Sequence, residues 1–348
     1  MAAIWRSRLP HWHARHRRRL RRVSGTAAVV SCGALLVAAC SSSSPGSSAA
    51  SGGAQTLPTV TMSYAAPVAE FMIPVVGARY GLFKKYGINL QTKYLPQTES
   101  LDSLVSGATQ FGLFDAPAPE TASASGQAIN WIAAYQLNPG LQYIVAPGVN
   151  TLAGLAGKSV TITVAGASTA ILTQLALTQA GVYSKVHVVP VGNVAAQMSS
   201  FEAGTSSGFV SGQPVTDEVL SKVPGSKVID TFSNVQWIGA GAAVVSSWAS
   251  SHKAEVLDFL RGLQASATYF KTHPANAEKV IEQETNATPS MAAIAYHAEL
   301  GILLNKLVLP TQNLSYINGI LNQQHFTGAS SLTSQNTALS SYLDSLNN

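Results

Sequence analysis

From residue 57 to about residue 244, short β-branched runs alternate with longer amphipathic stretches. That alternation confines the chain to folds built on a mostly parallel sheet with crossover helices. Strands are predicted over 59–63, 88–94, 109–113, 129–134, 159–164, 186–190, 207–210 and 227–230. Helices are predicted between them, over 70–80, 100–106, 118–125, 168–180, 194–203 and 215–222. After Ser246 the pattern turns helical throughout, over 250–273, 274–285, 290–306, 311–325 and 334–346. Pro274, Pro289 and Pro310 punctuate these helices as starters or stops.

The series breaks near 146–158 (APGVNTLAGLAGK) and restarts with 159–164, so two α/β lobes are expected, the second inserted within the first. Residues 58–150 with 245–348 would form lobe 1 and residues 151–244 lobe 2. The crossovers on either side would act as a hinge.

The N-terminus reads as an address. Residues 1–22 carry eight Arg, and the uncharged run 23–39 ends in small residues, the order of a secretory signal spanning 1–39. It closes on Leu36-Val37-Ala38-Ala39-Cys40, which resembles the bacterial lipobox; that resemblance implies a lipidated Cys40 at the mature N-terminus. The Ser/Gly-rich stretch that follows completes a flexible tether over 40–57. A bacterial protein anchored on the extracytoplasmic face of the cell membrane is expected, by the Sec or the twin-arginine route.

Charge supports this division. Of 21 Lys and Arg, eight lie before residue 40, leaving thirteen against sixteen acidic residues in the remainder. The basic charge sits in the address segment, which argues against a nucleic-acid partner. Two Cys cannot staple a chain of 348 residues, so a disulfide scaffold is excluded. His187, His252, His273, His297 and His325 form no i, i+4 pair, so no metal or other cofactor is expected.

Ligands of open parallel sheets bind beyond the carboxyl ends of the strands. That rule selects Tyr64, Ala66 and Pro67 after the first strand, Asp115 and Ala116 after the third, and Tyr135 and Gln136 after the fourth. In the second lobe it selects Ala167, Ser168, Thr169, Asn193, Gln213 and Pro214. Ser168 and Thr169 are expected as helix N-caps, with Ser168 also close to ligand. Asp115 would either hold a ligand amine or hydroxyl or cap the helix at Ala118. Tyr64 and Trp237 would clamp a planar ligand or pack in the core, and Trp131 is expected in the core.

Several segments together resemble a known family. Gly81-Leu82-Phe83-Lys84-Lys85-Tyr86-Gly87-Ile88-Asn89-Leu90, Leu155-Ala156-Gly157-Lys158-Ser159-Val160 and the helix ending Tyr269…Pro274 are similar to elements of periplasmic binding proteins. The subgroup holds nitrate-, sulfonate-, taurine- and thiamine-pyrimidine-type receptors of ABC importers. The resemblance implies a two-lobed α/β fold of periplasmic-binding-protein type II, with mixed, mostly parallel sheets, a hinge, and the helical C-terminal part packed on lobe 1. It also implies a monomeric, non-enzymatic receptor that hands a small solute to a permease and its ATPase. Only Arg79 and Arg261 follow residue 40, a poor supply of guanidinium for an anion site. The competing readings are an exported serine hydrolase acting through Ser168 and a non-transport sensor on the same fold. Gly166-Ala167-Ser168-Thr169-Ala170 lacks the closing Gly of a nucleophile elbow.

Overall fold

The computed structural model describes residues 56–347. The expected signal segment, Cys40 and nearly all of the tether therefore lie outside the described residues. Within them the strands are β1 (Thr59–Tyr64), β2 (Asn89–Tyr94), β3 (Phe111–Phe114), β4 (Ile129–Gln136), β5 (Gln142–Val145) and β6 (Ser159–Ile162). They continue with β7 (His187–Pro190), β8 (Gly208–Ser211), β9 (Lys227–Asp230), β10 (Ala240–Val245) and β11 (Leu303–Val308). One sheet has the order β11-β4-β10-β3-β1-β2 and the other β7-β6-β8-β5-β9.

The two sheets share a plan. In each, three parallel strands (β2-β1-β3 and β7-β6-β8) are followed by a reversed one, β10 or β5, that has just crossed from the other sheet. The fold is thus the two-lobed α/β arrangement that the alternation predicted, with most strands of each sheet pointing one way. The chain changes sheets between Gln136 and Gln142 and again between Asp230 and Ala240. The expected limits misassign two strands: β5 belongs to the second sheet and β10 to the first.

The eight expected strands are present, with shifted ends, while β5, β10 and β11 are additional. The stretch after Ser246 is not wholly helical. The helix Pro289–Ile302 runs straight into β11, an edge strand whose inward residues are Leu303 and Leu307.

Why the first lobe packs as it does is visible in its glycines. A Cβ on Gly241 of β10 would lie 2.5 Å from the Ala133 carbonyl oxygen and 2.8 Å from the Trp131 ring, so only Gly lets β4 and β10 pair closely there. A Cβ on Gly262 would lie 2.2 Å from the Phe83 ring. Phe83 in turn packs on Phe259, whose ring stacks on Phe111 at 3.8 Å. This joins the long helix Lys253–Thr272 to the Gly81–Asn89 region on lobe 1. The C-terminal part also reaches across: Gln324 Nε2 donates to the Ile171 carbonyl at 3.1 Å, and Phe326 sits against Gly166. Among the described residues no helix is long and apolar enough to cross a membrane.

Candidate ligand-binding cleft

A cavity of about 50 Å³ lies where the carboxyl ends of the two sheets meet. Its wall combines Ala65, Ala66, Val68, Glu70, Phe71, Tyr94, Pro96, Gln97 and Asp115 from the first lobe with Thr163, Ser168, Thr169, Gly192, Asn193, Val194, Ser211 and Gly212 from the second. Leu141, in the crossover, completes it. In the two sheets the parallel pairs β1/β3 and β6/β8 mark the point where successive connections diverge, the place where open α/β sheets bind ligands. The halves touch here: the Ala69 N–H donates to the Gln213 carbonyl at 3.0 Å. A second groove, of about 720 Å³, is larger but lies between Lys85, Arg261, Thr268 and Lys306 of the first lobe. Closure of two lobes cannot enclose it.

Glu70 sits on the single 3-10 turn that joins the β1 loop to the helix Met72–Arg79. It is 4% exposed, and its carbonyl accepts from the Tyr135 hydroxyl at 3.0 Å. Among the described residues no hydrogen bond reaches its carboxylate. Burial, then the nearby charges of Asp115 and Glu299, hold Glu70 well above the usual carboxylate range. Asp115 follows β3, and burial pushes it up to about 7 against the lowering effect of the nearby Ser168 hydroxyl. Ser168 faces it from the second lobe, where it opens the helix Ser168–Gln179. Glu299 reaches about 7 through burial, opposed by its bond from Gln136 Nε2. Glu120, buried outside the cavity wall, is also raised by burial to about 7, although the Trp131 indole N–H donates to it at 2.8 Å.

The second lobe presents hydroxyls and caps instead. The Thr169 hydroxyl accepts from the Thr163 N–H at 3.1 Å and pairs with the Thr163 hydroxyl at 2.8 Å. Asn193 caps the helix Val194–Glu202, its Oδ1 accepting from the Ala196 N–H at 2.9 Å. The Ser211 hydroxyl is buried without a hydrogen-bond partner.

Of the expected site residues, Ala66, Asp115, Ser168, Thr169 and Asn193 are brought together on this wall. Neither Ser168 nor Thr169 is the N-cap expected of it. The extended backbone at Ala167 makes that residue the cap, without a side-chain bond, so Ser168 is the first helical residue, with its hydroxyl near Asp115. Nor does the Asp115 side chain cap its helix: the Ala118 N–H bonds to the Asp115 carbonyl.

Tyr64 lies below the cavity, its hydroxyl on Glu284 at 2.9 Å and its ring 5.8 Å from that of Tyr94. Tyr135 and Gln136 stand behind the wall, holding Glu70 and Glu299. Ala116 is buried, with its N–H on the Ile238 carbonyl at 2.9 Å. Gln213 contributes its carbonyl across the lobes and donates to Asp217 at 3.1 Å. Pro67, Ala167 and Pro214 are loop or cap residues outside the wall. Trp237, like Trp131, is fully buried in the core and clamps nothing.

Sequence reasoning missed Glu70, Tyr94 and Ser211. Tyr94 and Ser211 end β2 and β8, so the carboxyl-end rule, applied to every strand, finds both. Glu70 carries a weaker signal, an acid in the first turn after the β1 loop. Among the described residues no three His, Cys, Asp or Glu side chains group closely enough to hold a metal ion.

A sequence model of the NMT1/THI5 like family matches residues 69–277, more than half of the chain. No curated protein sequence matches. Solved structures share the fold at low identity. The alkanesulfonate-binding protein SsuA from Xanthomonas axonopodis pv. citri, bound to MOPS, is 14% identical, with a TM-score of 0.67 over 77% of this chain and 94% of that one. The periplasmic aliphatic sulphonate binding protein SsuA from Escherichia coli is 15% identical, with a TM-score of 0.67 over 82% and 92%. The periplasmic nitrate-binding protein NrtA from Synechocystis PCC 6803 is 10% identical, with a TM-score of 0.69 over 83% and 88%. The matched segment begins at the turn that carries Glu70 and runs through both sheets to the helix Pro274–Thr285. On that match the chain belongs to the NMT1/THI5-like family.

Proposed function

We infer that the protein is an extracytoplasmic solute-binding protein of an ABC importer, tethered through a lipidated Cys40, that captures a small organic solute and delivers it to a permease. The observation carrying this reading is the cavity walled by both lobes at their strand ends, with the lobes joined beside it by the Ala69–Gln213 hydrogen bond. Ligand contacts on both halves stabilise a closed form, and that form is what a permease recognises. Family membership and the sulfonate- and nitrate-binding proteins of the same fold support it.

Hydrolysis by Ser168 fits poorly. None of the cavity-wall residues is an imidazole that would take its proton. Neither a cofactor nor covalent chemistry is needed for capture.

Small-angle scattering of the mature chain, with and without the solute that co-purifies with it, tests the reading. A smaller radius of gyration with solute is expected; an unchanged one would refute closure. Labelling with a palmitate analogue and blocking processing with globomycin tests Cys40, and precursor processing that ignores the inhibitor would remove the anchor.

A further inference from the structure

We propose that the solute is a small organic cation, an amine or amidine whose N–H groups are received by Glu70 and Asp115. This rests on the binding reading above and narrows it.

The cavity wall holds two carboxyl groups and no Lys, Arg or His. A third carboxyl, Glu299, acts on Glu70 from behind, so the charges facing that group are all acidic. Part of what would serve an anion is already used within the protein: Asn193 Oδ1 caps its own helix, and the Thr169 hydroxyl serves Thr163. Open to a ligand are the Glu70 carboxylate, which receives no hydrogen bond, the Asp115 carboxyl, the buried, unpartnered Ser211 hydroxyl, and the less buried Tyr94 hydroxyl and Gln97 amide. The carboxylates are acceptors, and the hydroxyls and amide adapt to either role. Buried polar groups in native proteins are generally paired, and buried carboxylates most of all. Donors carrying positive charge satisfy this set, whereas an anion adds repulsion to it.

A metal cation does not fit, because the acids do not converge in a group of three. About 50 Å³ admits a head group of a few heavy atoms, the size of an ammonium or amidinium.

Calorimetry and thermal shift on the mature chain at pH 8 and low salt, with acetamidine, ethanolamine and 1,3-diaminopropane set against nitrate and methanesulfonate, test the assignment. At least one of the cations is expected to bind and raise Tm, with Kd at least tenfold weaker in both Glu70→Gln and Asp115→Asn. Glu120→Gln, which removes a buried acid outside the cavity wall, leaves that Kd unchanged. Cation binding indifferent to Glu70→Gln and Asp115→Asn overturns the proposal. So does a Tm rise with nitrate or methanesulfonate and none with the cations, an outcome that leaves the solute-receptor reading standing. If no probe binds and no co-purified solute contracts the molecule, both fall.

Discussion

The two lobes share a strand plan but not a chemistry. In each, the third parallel strand turns into its helix through a short loop: Asp115-Ala116-Pro117 after β3, Gly212-Gln213-Pro214 after β8. The first loop brings a buried carboxyl to the cavity and the second brings bare backbone, beside the Ser211 hydroxyl. The raised acids Glu70, Asp115, Glu120 and Glu299 all belong to the six-stranded half or to the helices packed on it, and among the described residues the five-stranded half has no comparable group. One lobe thus supplies charge and the other geometry. The lesson is that one strand plan carries different chemistry in its two halves, because single residues on equivalent loops differ.

The largest effect is expected from giving the second lobe the first lobe's chemistry. Ser168→Glu sets a second carboxylate against Asp115 across the two halves, so like-charge repulsion in a buried place opposes closure. Solute affinity should fall about 100-fold, near 2.7 kcal/mol, with a larger radius of gyration by scattering. Retained affinity would mean that the halves do not need this contact.

Next comes the pair of reversed strands, β10 and β5, which occupy the same place in the two plans. Gly241→Val drives methyl groups into the Ala133 carbonyl and the Trp131 ring, at about 2–3 kcal/mol by urea unfolding. A wild-type midpoint would show that β10 can move away from β4.

The lobes should also respond differently to pH. Carboxyls with an ordinary value near 4 when unfolded and about 7 when folded hold their protons more tightly in the native state. Their stabilisation is complete below about pH 4 and is lost as pH rises towards 7. The solute-free protein should therefore lose about 3–5 °C in Tm between pH 5 and pH 8. Hydrogen exchange, corrected for its intrinsic pH dependence, should place the loosening in the six-stranded half. Equal loosening of both halves would break the contrast drawn here.

The smallest effect belongs to Ile144→Val in β5, where a buried side chain loses one methylene, for about 1 kcal/mol. A cost matching that of Gly241→Val would mean that the two reversed strands are packed alike after all.

How far the sequence could be read follows strand direction. The eight expected strands are those that point one way, and β5, β10 and β11 are the reversed ones. Ala240–Val245 reads AGAAVV, four of its six residues Gly or Ala, which lack the β-branched signature because the strand lies tightly between β3 and β4. In Leu303–Val308 the inward leucines are four apart, the spacing of a helix, and the pairing with β4 is irregular at that point. The cleft was legible as a set of loops, through the rule for strand ends. Its charge was legible only at Asp115, since a carboxyl such as Glu70 reads as a solvated acid until burial and its neighbours are known.

One contact made outside the cavity wall bears on how the halves separate. Where the chain emerges from the helix Thr311–Gln323, Gln324 grips the Ile171 carbonyl and Phe326 rests on Gly166, on the lobe opposite to the one carrying the rest of the C-terminal part. Swinging the halves apart must peel this clasp away or bend the helix that bears it. On the proposed receptor role, residence time is governed partly at the rim of the C-terminal segment, where a substitution alters dwell without touching the cavity wall.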